Sequence, residues 1–499
     1  MVTLSPRQWF WGALAVSLAF RLWLAGALPM TVDEAYFVLW GREPALGYYD
    51  HPPMVGWLLA PLVLISESEW LVRLPSVILP AMLAFLARGA IAAWRDADTA
   101  DLAGAVIVLA PLNFWNVLIT TDTPLAFFAV ASMLAFARRR YFIAGVLLGL
   151  AFLSKYFAVL LGLGYLVWAI AARRPAAFGL AFLGALPAGL VNLYWNWQAC
   201  WCNVMFNAIN RHEDAGASWS TPALYAASLA YLAAPLLWYA WKGRAQLRAA
   251  APRPEVGVML AAWVVPVVAF ALLSPVKRIG LHWLIAFVPA IAISVALVLE
   301  RRALVVSLRW FAGIAGVHAL LFVALLSVPV ARWQAPLERW TKPGAYERLL
   351  QRWVFLVEPE SILAPMAPLL ARYRLAAESY SSAALLSYDT GRHVPVFGTG
   401  SSHARQDDLR TDWRRYDGRD LLILRREAPD LSHYRPYFRE VEARAVDGGG
   451  TRHFAVLGRG FDYPAYREGV LKEIRERWYR IPGALPVGAC YFFERYGFR

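Results

Sequence analysis

Apolar runs, many close to twenty residues long and separated by short polar connections, recur from Trp9 to Val330. A helix needs roughly twenty mostly apolar residues to cross the hydrocarbon core of a bilayer. On that basis spanning helices are predicted over 9–28, 70–93, 102–119, 123–137, 141–153, 157–172, 176–194, 221–241, 256–273, 281–299 and 308–330, about eleven in all. Beyond residue 331 the hydropathy falls. The stretch 332–378 reads as helix and loop, punctuated by Pro336, Pro343, Pro359, Pro365 and Pro368. Strand-like runs follow at Ala383–Tyr388, His393–Phe397 and Leu421–Leu424. Phe438–Ala445 pairs with Thr451–Leu457 through Gly448-Gly449-Gly450, a hairpin signal. Pro464–Tyr479 reads as a polar helix. The predicted fold is a multi-pass α-helical membrane domain over 1–330 and a soluble α+β domain over 331–499.

Composition sharpens this picture. Apolar residues make up 59% of the chain and charged ones 17%, against about 25% charged in soluble domains. The 23 tryptophans suit rings seated at bilayer interfaces. A net charge of +14 would suit nucleic acid, but the bases sit mostly between apolar runs, where they orient helices instead. No nucleic-acid partner is expected. Cys200, Cys202 and Cys490 form no framework and no metal-ligand spacing, so free thiols are expected. The segment from Trp9 to Leu28 reads as a first span rather than a cleaved leader.

Alternate connections carry Arg95, then Arg138-Arg139-Arg140, then Arg173-Arg174, then Lys242, Arg244, Arg248 and Arg253, then Arg301, Arg302 and Arg309. Short basic loops stay in the cytoplasm. The N-terminus with Arg7 falls on that side, and eleven crossings put the C-terminal domain on the other. The opposite connections hold Asp33, Glu34, Asp50, His51, Asp122, Lys155, His212, Glu213, Lys277, Arg278 and His282. Ionisable groups beside spanning segments are costly, which makes them functional candidates.

Asp33 and Glu34 follow the first span directly; each could accept a proton from a hydroxyl or serve as a helix cap. Asp50-His51-Pro52-Pro53 has stiff prolines that would fix its charged groups. Lys155 lies between two apolar runs, either snorkelling to the interface or facing an anionic headgroup. Lys277 and Arg278 are adjacent outer cations against the orientation rule, with His282 one turn on; phosphate is their natural ligand. Asp122, before Thr123-Pro124, could instead be an N-cap. Asp50, His51, His212 and His282 could in principle hold a divalent metal.

Taken together, Asp33-Glu34-Ala35-Tyr36, Tyr48-Tyr49-Asp50-His51-Pro52-Pro53, Asp122-Thr123-Pro124 and Leu153-Ser154-Lys155-Tyr156 resemble the bacterial membrane glycosyltransferases of the protein-mannosyltransferase and aminoarabinose-transferase type, in the GT-C superfamily. The resemblance covers roughly the first 300 residues. It implies sugar transfer from a polyprenyl-phosphate carrier to an envelope acceptor (a lipid A or core sugar, another glycan or a protein), in a bacterial inner membrane with a periplasmic site. It implies Asp33 as general base, Asp50 as a site-lining acid that in relatives sometimes touches metal, and Lys155, Lys277 and Arg278 near the carrier phosphate. Glu34 joins the catalytic candidates; His51, Asp122, His212 and His282 are the substrate-binding candidates. Here His51 stands where the aminoarabinose-transferase relatives have lysine. The alternative is a transporter or flippase for an anionic lipid or sugar phosphate, which would also need charged groups in a membrane cavity. Neither repeated halves nor broken helices favour it in the sequence.

Overall fold

Helices form over most of the predicted apolar runs, and their ends follow local chemistry. The computed structural model describes residues 4–210, 218–328, 330–342 and 345–498. Among these, seven helices are long and apolar enough to cross a membrane: Pro6–Ala27, Glu69–Trp94, Pro175–Gln198, Ser220–Lys242, Pro254–Leu273, Leu281–Val298 and Arg301–Ser327. Asp122–Ala137, Tyr141–Ser154 and Ala158–Ala171 are shorter apolar helices at predicted positions. Pro175–Gln198 and Arg301–Ser327 bury little of their apolar surface against protein. In water that exposure would be costly, whereas in hydrocarbon it is not. The chain is a multi-pass membrane protein.

The span predicted over 102–119 is corrected by the structure. Helix Ala97–Leu109 stops short, because Pro111 has no N–H to continue the ladder, and Leu112 takes a positive φ of 67°. The irregular backbone that follows is buried, with Phe114 and Val117 almost fully covered. Its polar groups are satisfied inside the protein: Asn113 Nδ2 donates to the Ile107 carbonyl at 3.0 Å, and the buried Arg21 guanidinium donates to the carbonyls of Asn113 and Ser76. Non-helical backbone at membrane depth is tolerated only under such cover.

Two compact units result. The first comprises Met1–Leu28, His51–Asn192 and Asp214–Leu326. Within it Arg73, fully buried, donates to the carbonyls of Ala25 and Leu28 at 2.9 and 2.7 Å, capping the C-terminal end of the first span. A cation there also suits the helix dipole. Helices Tyr141–Ser154 and Pro175–Gln198 touch backbone to backbone at Gly145, where a Cβ would run into the Ala181 carbonyl. Small residues are what permit such an approach between spans.

The second unit comprises Pro29–Asp50, Leu193–Glu213 and Ser327–Arg499, so two inter-helix segments fold with the C-terminal region. Its sheet contains β1 (Arg374–Ala377), β2 (Leu421–Arg425), β3 (Phe438–Gly448) and β4 (Thr451–Phe461), in the order β1-β2-β4-β3. β1 and β2 are parallel and the other pairs antiparallel. The predicted hairpin is present: Gly448 pairs with Thr451, and Gly449 and Gly450 turn the chain at φ of 58° and 72°, the paired left-handed conformation of a tight hairpin turn. The strand predicted at Ala383–Tyr388 is instead helix Tyr380–Asp389, capped by Ser379 Oγ on the Ser382 amide. Short apolar runs do not separate the two forms by period. At His393–Phe397 there is a single parallel bridge, Ala377 to Val396.

The cysteine expectation is also corrected. Cys200 and Cys490 form a disulfide with Cα atoms 4.5 Å apart, and Cys202 is a buried free thiol. Spacing along the chain could not show a partner 290 residues away.

Candidate functional site

The first outer segment, Thr31 to Asp50, belongs to the second unit. Thr31 begins helix Val32–Arg42 with a reciprocal capping box: its Oγ1 accepts from the Glu34 amide at 3.4 Å, and Glu34 Oε2 accepts from the Thr31 amide at 3.1 Å. Glu34 is fully buried. Of the adjacent acids it therefore secures the helix, and Asp33 is the one whose carboxylate reaches solvent. Crowding and the neighbouring Glu34 nonetheless raise the proton affinity of Asp33 above that of an ordinary aspartate. A carboxylate so shifted is a better base.

Asp50 lies at the other end of this segment and is buried. Tyr36, three residues along the helix from Asp33, donates its hydroxyl to Asp50 Oδ1 at 3.3 Å. Burial, then the Asp50 charge, push the Tyr36 phenol well up, so it stays a proton donor. The two tyrosines before Asp50 hold it in place. Tyr48 stacks on Trp40 at 4.1 Å and donates to the Trp40 carbonyl at 2.9 Å. The Tyr49 amide donates to Gln406 Oε1 at 2.7 Å, and its hydroxyl accepts from Asn210 Nδ2 at 3.2 Å.

Residues from the C-terminal region complete this cluster, and sequence reasoning missed them. Tyr380 meets Tyr36 edge to face at 6.1 Å and stacks on His403 at 5.6 Å. Burial and the charges of Asp33 and Asp50 raise the Tyr380 phenol. Tyr36 could have been found by its i, i+3 spacing from Asp33; Tyr380 and His403 had no signal in the chain order.

The first unit gathers the other candidates. Lys155 is buried, and its Nζ donates to both Asp122 oxygens at 2.8 Å. The sequence left Lys155 without a neighbouring charge; the fold supplies one. Asp122 opens helix Asp122–Ala137, and Lys155 follows directly on helix Tyr141–Ser154. A turn at Arg138–Arg140 folds the two helices back on each other, so the start of one meets the end of the next. Asp122 is the first helical residue rather than the cap, which is Thr121. His282 Nε2 stands 4.0 Å from Asp122 Oδ2, and Lys155 also lies over the Phe157 ring at 5.2 Å. Lys277 is half-buried and Arg278 exposed, both beyond the end of helix Pro254–Leu273. His51 is half-buried in the same unit. His212 and Glu213 lie outside the described residues. Among the described residues no three His, Cys, Asp or Glu side chains converge as metal ligands.

Residues 50–195 match the family model described as dolichyl-phosphate-mannose-protein mannosyltransferase. Lipid A galacturonosyltransferase RgtD of Rhizobium johnstonii is 30% identical over 243 residues, which cover 44% of this chain and 48% of that protein. The match thus spans about half the length of this curated relative. Among solved structures, apo ArnT from Cupriavidus metallidurans aligns over 90% of this chain and 97% of its own, with a TM-score of 0.60 and 16% identity. The chain has the ArnT-like fold of the membrane glycosyltransferases its motifs resemble, and it carries the mannosyltransferase family pattern across residues 50–195.

Proposed function

We propose that the protein is a membrane glycosyltransferase that moves a sugar from a polyprenyl phosphate to an envelope acceptor by one inverting displacement. The observation that carries this reading is Asp33: a solvent-reaching carboxylate of raised proton affinity, on a helix whose start is secured by the Thr31–Glu34 capping box. Asp33 takes the proton of the acceptor hydroxyl as that oxygen forms its bond to the anomeric carbon. The bond from that carbon to the phosphate oxygen breaks, and its electron pair stays on the departing phosphate. Fixed cations stabilise growing negative charge better than mobile water does. Lys277 and Arg278 fit that task, with Lys155 acting alongside the Asp122 carboxylate that partly offsets its charge. Asp50 orders Tyr36 and lines the same unit as Asp33.

The family matched over residues 50–195 is described by a polyprenyl-phosphate sugar, and the galacturonosyltransferase relative by a lipid A acceptor; both support the donor and acceptor classes. The basic loops support an N-terminus in the cytoplasm, and the bacterial source of the galacturonosyltransferase relative supports a bacterial membrane. The Cys200–Cys490 disulfide supports an oxidising, periplasmic side for the second unit.

The test is purified protein with a polyprenyl-phosphate sugar and envelope glycolipid acceptors. Release of free polyprenyl phosphate together with a glycosylated acceptor is expected. In Asp33→Asn, turnover should fall by about 10²–10⁴-fold, the usual contribution of a positioned base, with the melting profile unchanged. Vectorial movement of the intact carrier without cleavage would overturn the reading in favour of a transporter.

A further inference from the structure

The sheet of the second unit ends on one side in a long bare edge. On the other side β1 is four residues long, and its outer edge takes the Ala377–Val396 bridge. β3 is eleven residues long and pairs with β4 alone among the described strands. Their register runs without a slip from Gly448–Thr451 to Glu440–Arg459. The tight turn at Gly449 and Gly450 makes Gly448 and Thr451 a hydrogen-bonded pair. Such pairs alternate along an antiparallel ladder, so Glu440, Glu442, Arg444 and Val446 direct their backbone groups at β4. The amides and carbonyls of Val441, Ala443, Ala445 and Asp447 therefore point outward, with no backbone partner among the described residues. Ala443 and Ala445 are themselves exposed.

An edge of this kind invites another strand, and proteins commonly blunt it with proline, lysine or a bulge. β3 has none of these between Glu440 and Asp447. Its charges are the remaining deterrent, yet their order is complementary to itself. In antiparallel pairing centred on Ala443, Glu442 faces Arg444 of the second copy and Arg439 faces Asp447. Val441 faces Ala445, and Ala443 meets its own counterpart on the two-fold axis. Glu442 and Arg444 already bond each other along β3 at 2.7 Å, so the two copies would close an alternating square of four charges. Opposite charges directly across a ladder stabilise it, and like charges oppose it. Sliding the strands by two residues either way sets Glu442 against Glu442 or Arg444 against Arg444. Sliding by one sets outward groups against groups already bonded to β4. Of these registers, only the one centred on Ala443 both joins free backbone groups and matches charge.

We infer that β3 is a docking edge for a second copy of this chain, joined antiparallel at Ala443 so that the sheet continues across a two-fold axis. The pairing involves no residue of the transfer chemistry, and it stands whether or not the transferase reading holds.

Cross-linking of the full chain in membrane vesicles of the expression host tests this. Cys200 and Cys490 are bridged and Cys202 is buried, so Ala443→Cys supplies the accessible thiol. Facing Cα atoms in such a ladder lie about 5.5 Å apart, and a short bismaleimide should join Ala443→Cys into a species of twice the chain mass. In Ala445→Cys the two thiols stand four residues out of step, roughly 14 Å apart, and the yield should be about tenfold lower. Within Ala443→Cys, adding Glu442→Arg should cut the yield about tenfold, and adding Arg444→Glu to that variant should restore it. If the single exchange loses its melting transition, Ala445→Pro is read in its place with the same loss expected, since it removes one outward amide and no bond to β4. A monomer at Ala443→Cys, an equal yield at Ala445→Cys, indifference to the single exchange, or a double exchange that stays monomeric each overturns the proposal. A cross-linked species of any other mass overturns it too, in favour of a different partner.

Discussion

At the scale of single residues, Lys155 separates what the chain order reveals from what folding adds. Its isolation between apolar runs marked it as unusual, and it is, but its partner was hidden 33 residues away. Only the antiparallel hairpin of helices Asp122–Ala137 and Tyr141–Ser154 brings Asp122 to it. The pair is dry, with side-chain exposures of 9% and 6%, so removing one member strands the other charge. Stranding a buried charge costs about 3–5 kcal/mol, whereas replacing both members by neutral groups of similar volume is often nearly harmless. Lys155→Ala should therefore lower the detergent melting temperature markedly, while Asp122→Asn with Lys155→Met recovers most of it. A double variant as unstable as Lys155→Ala would show that the pair is not what matters there. Donor affinity is best compared between wild type and the double variant, because Lys155→Ala mixes lost phosphate attraction with damage to the fold. Asp33 was legible for the opposite reason: its signal is local, an acid beside a capping box at the end of a span, and local signals survive in sequence.

At the scale of elements, long apolar spans and the Gly-Gly hairpin were legible, since each is set by composition and turn chemistry over neighbouring residues. Helix Tyr380–Asp389 was not, because Ala383–Tyr388 is too short and too uniformly apolar to declare a period. The hairpin also carries a pH signature. His453 on β4 is fully buried against Phe355, and burial first, then Arg426, hold its imidazole down to about 4 from 6.5. A histidine whose folded pKa is depressed contributes stability above about pH 6.5 that is lost as pH falls towards 4. Asp407 and Asp408, both pushed up to about 6 by burial, act in the opposite sense, favouring the fold as pH falls from 6 towards 3.8. The wild type should thus show a shallow acid profile from opposing terms. His453→Leu removes one of them. Relative to wild type it should gain on the order of 2 kcal/mol between pH 7 and pH 5, from 1.36 kcal/mol per pH unit below 6.5. Urea melts of the two proteins at both pH values measure this, and parallel pH profiles would refute it.

At the scale of the whole molecule, the membrane architecture followed from hydropathy alone, but the make-up of the second unit did not. Hydropathy divides the chain once, near residue 331, whereas Pro29–Asp50 and Leu193–Glu213 fold with the C-terminal region although each is flanked by spans. Nothing local in those segments announces it. Their polar groups find partners far along the chain, as the Tyr49 amide does with Gln406 and the Trp201 indole Nε1 with the Pro486 carbonyl at 2.9 Å. The Cys200–Cys490 bond joins the same two regions covalently. For a free coil, closing a loop of that length would restrict the unfolded chain by about 5–6 kcal/mol. The intervening chain is no free coil here, because helices inserted in a bilayer stay inserted when the second unit unfolds, and they already limit how far its segments can part. Cys490→Ser should therefore destabilise the second unit by about 3 kcal/mol, within the ordinary range for a native bridge, and leave the spans in place. Limited proteolysis should show earlier cleavage beyond residue 327, while the membrane-protected fragments persist. Peptide mapping without reductant fixes which thiol is used: the peptide holding Cys490 should be joined through Cys200, with Cys202 alkylated only after denaturation. A bridge from Cys202 instead would move the pairing by two residues and break the register that the Trp201–Pro486 contact requires.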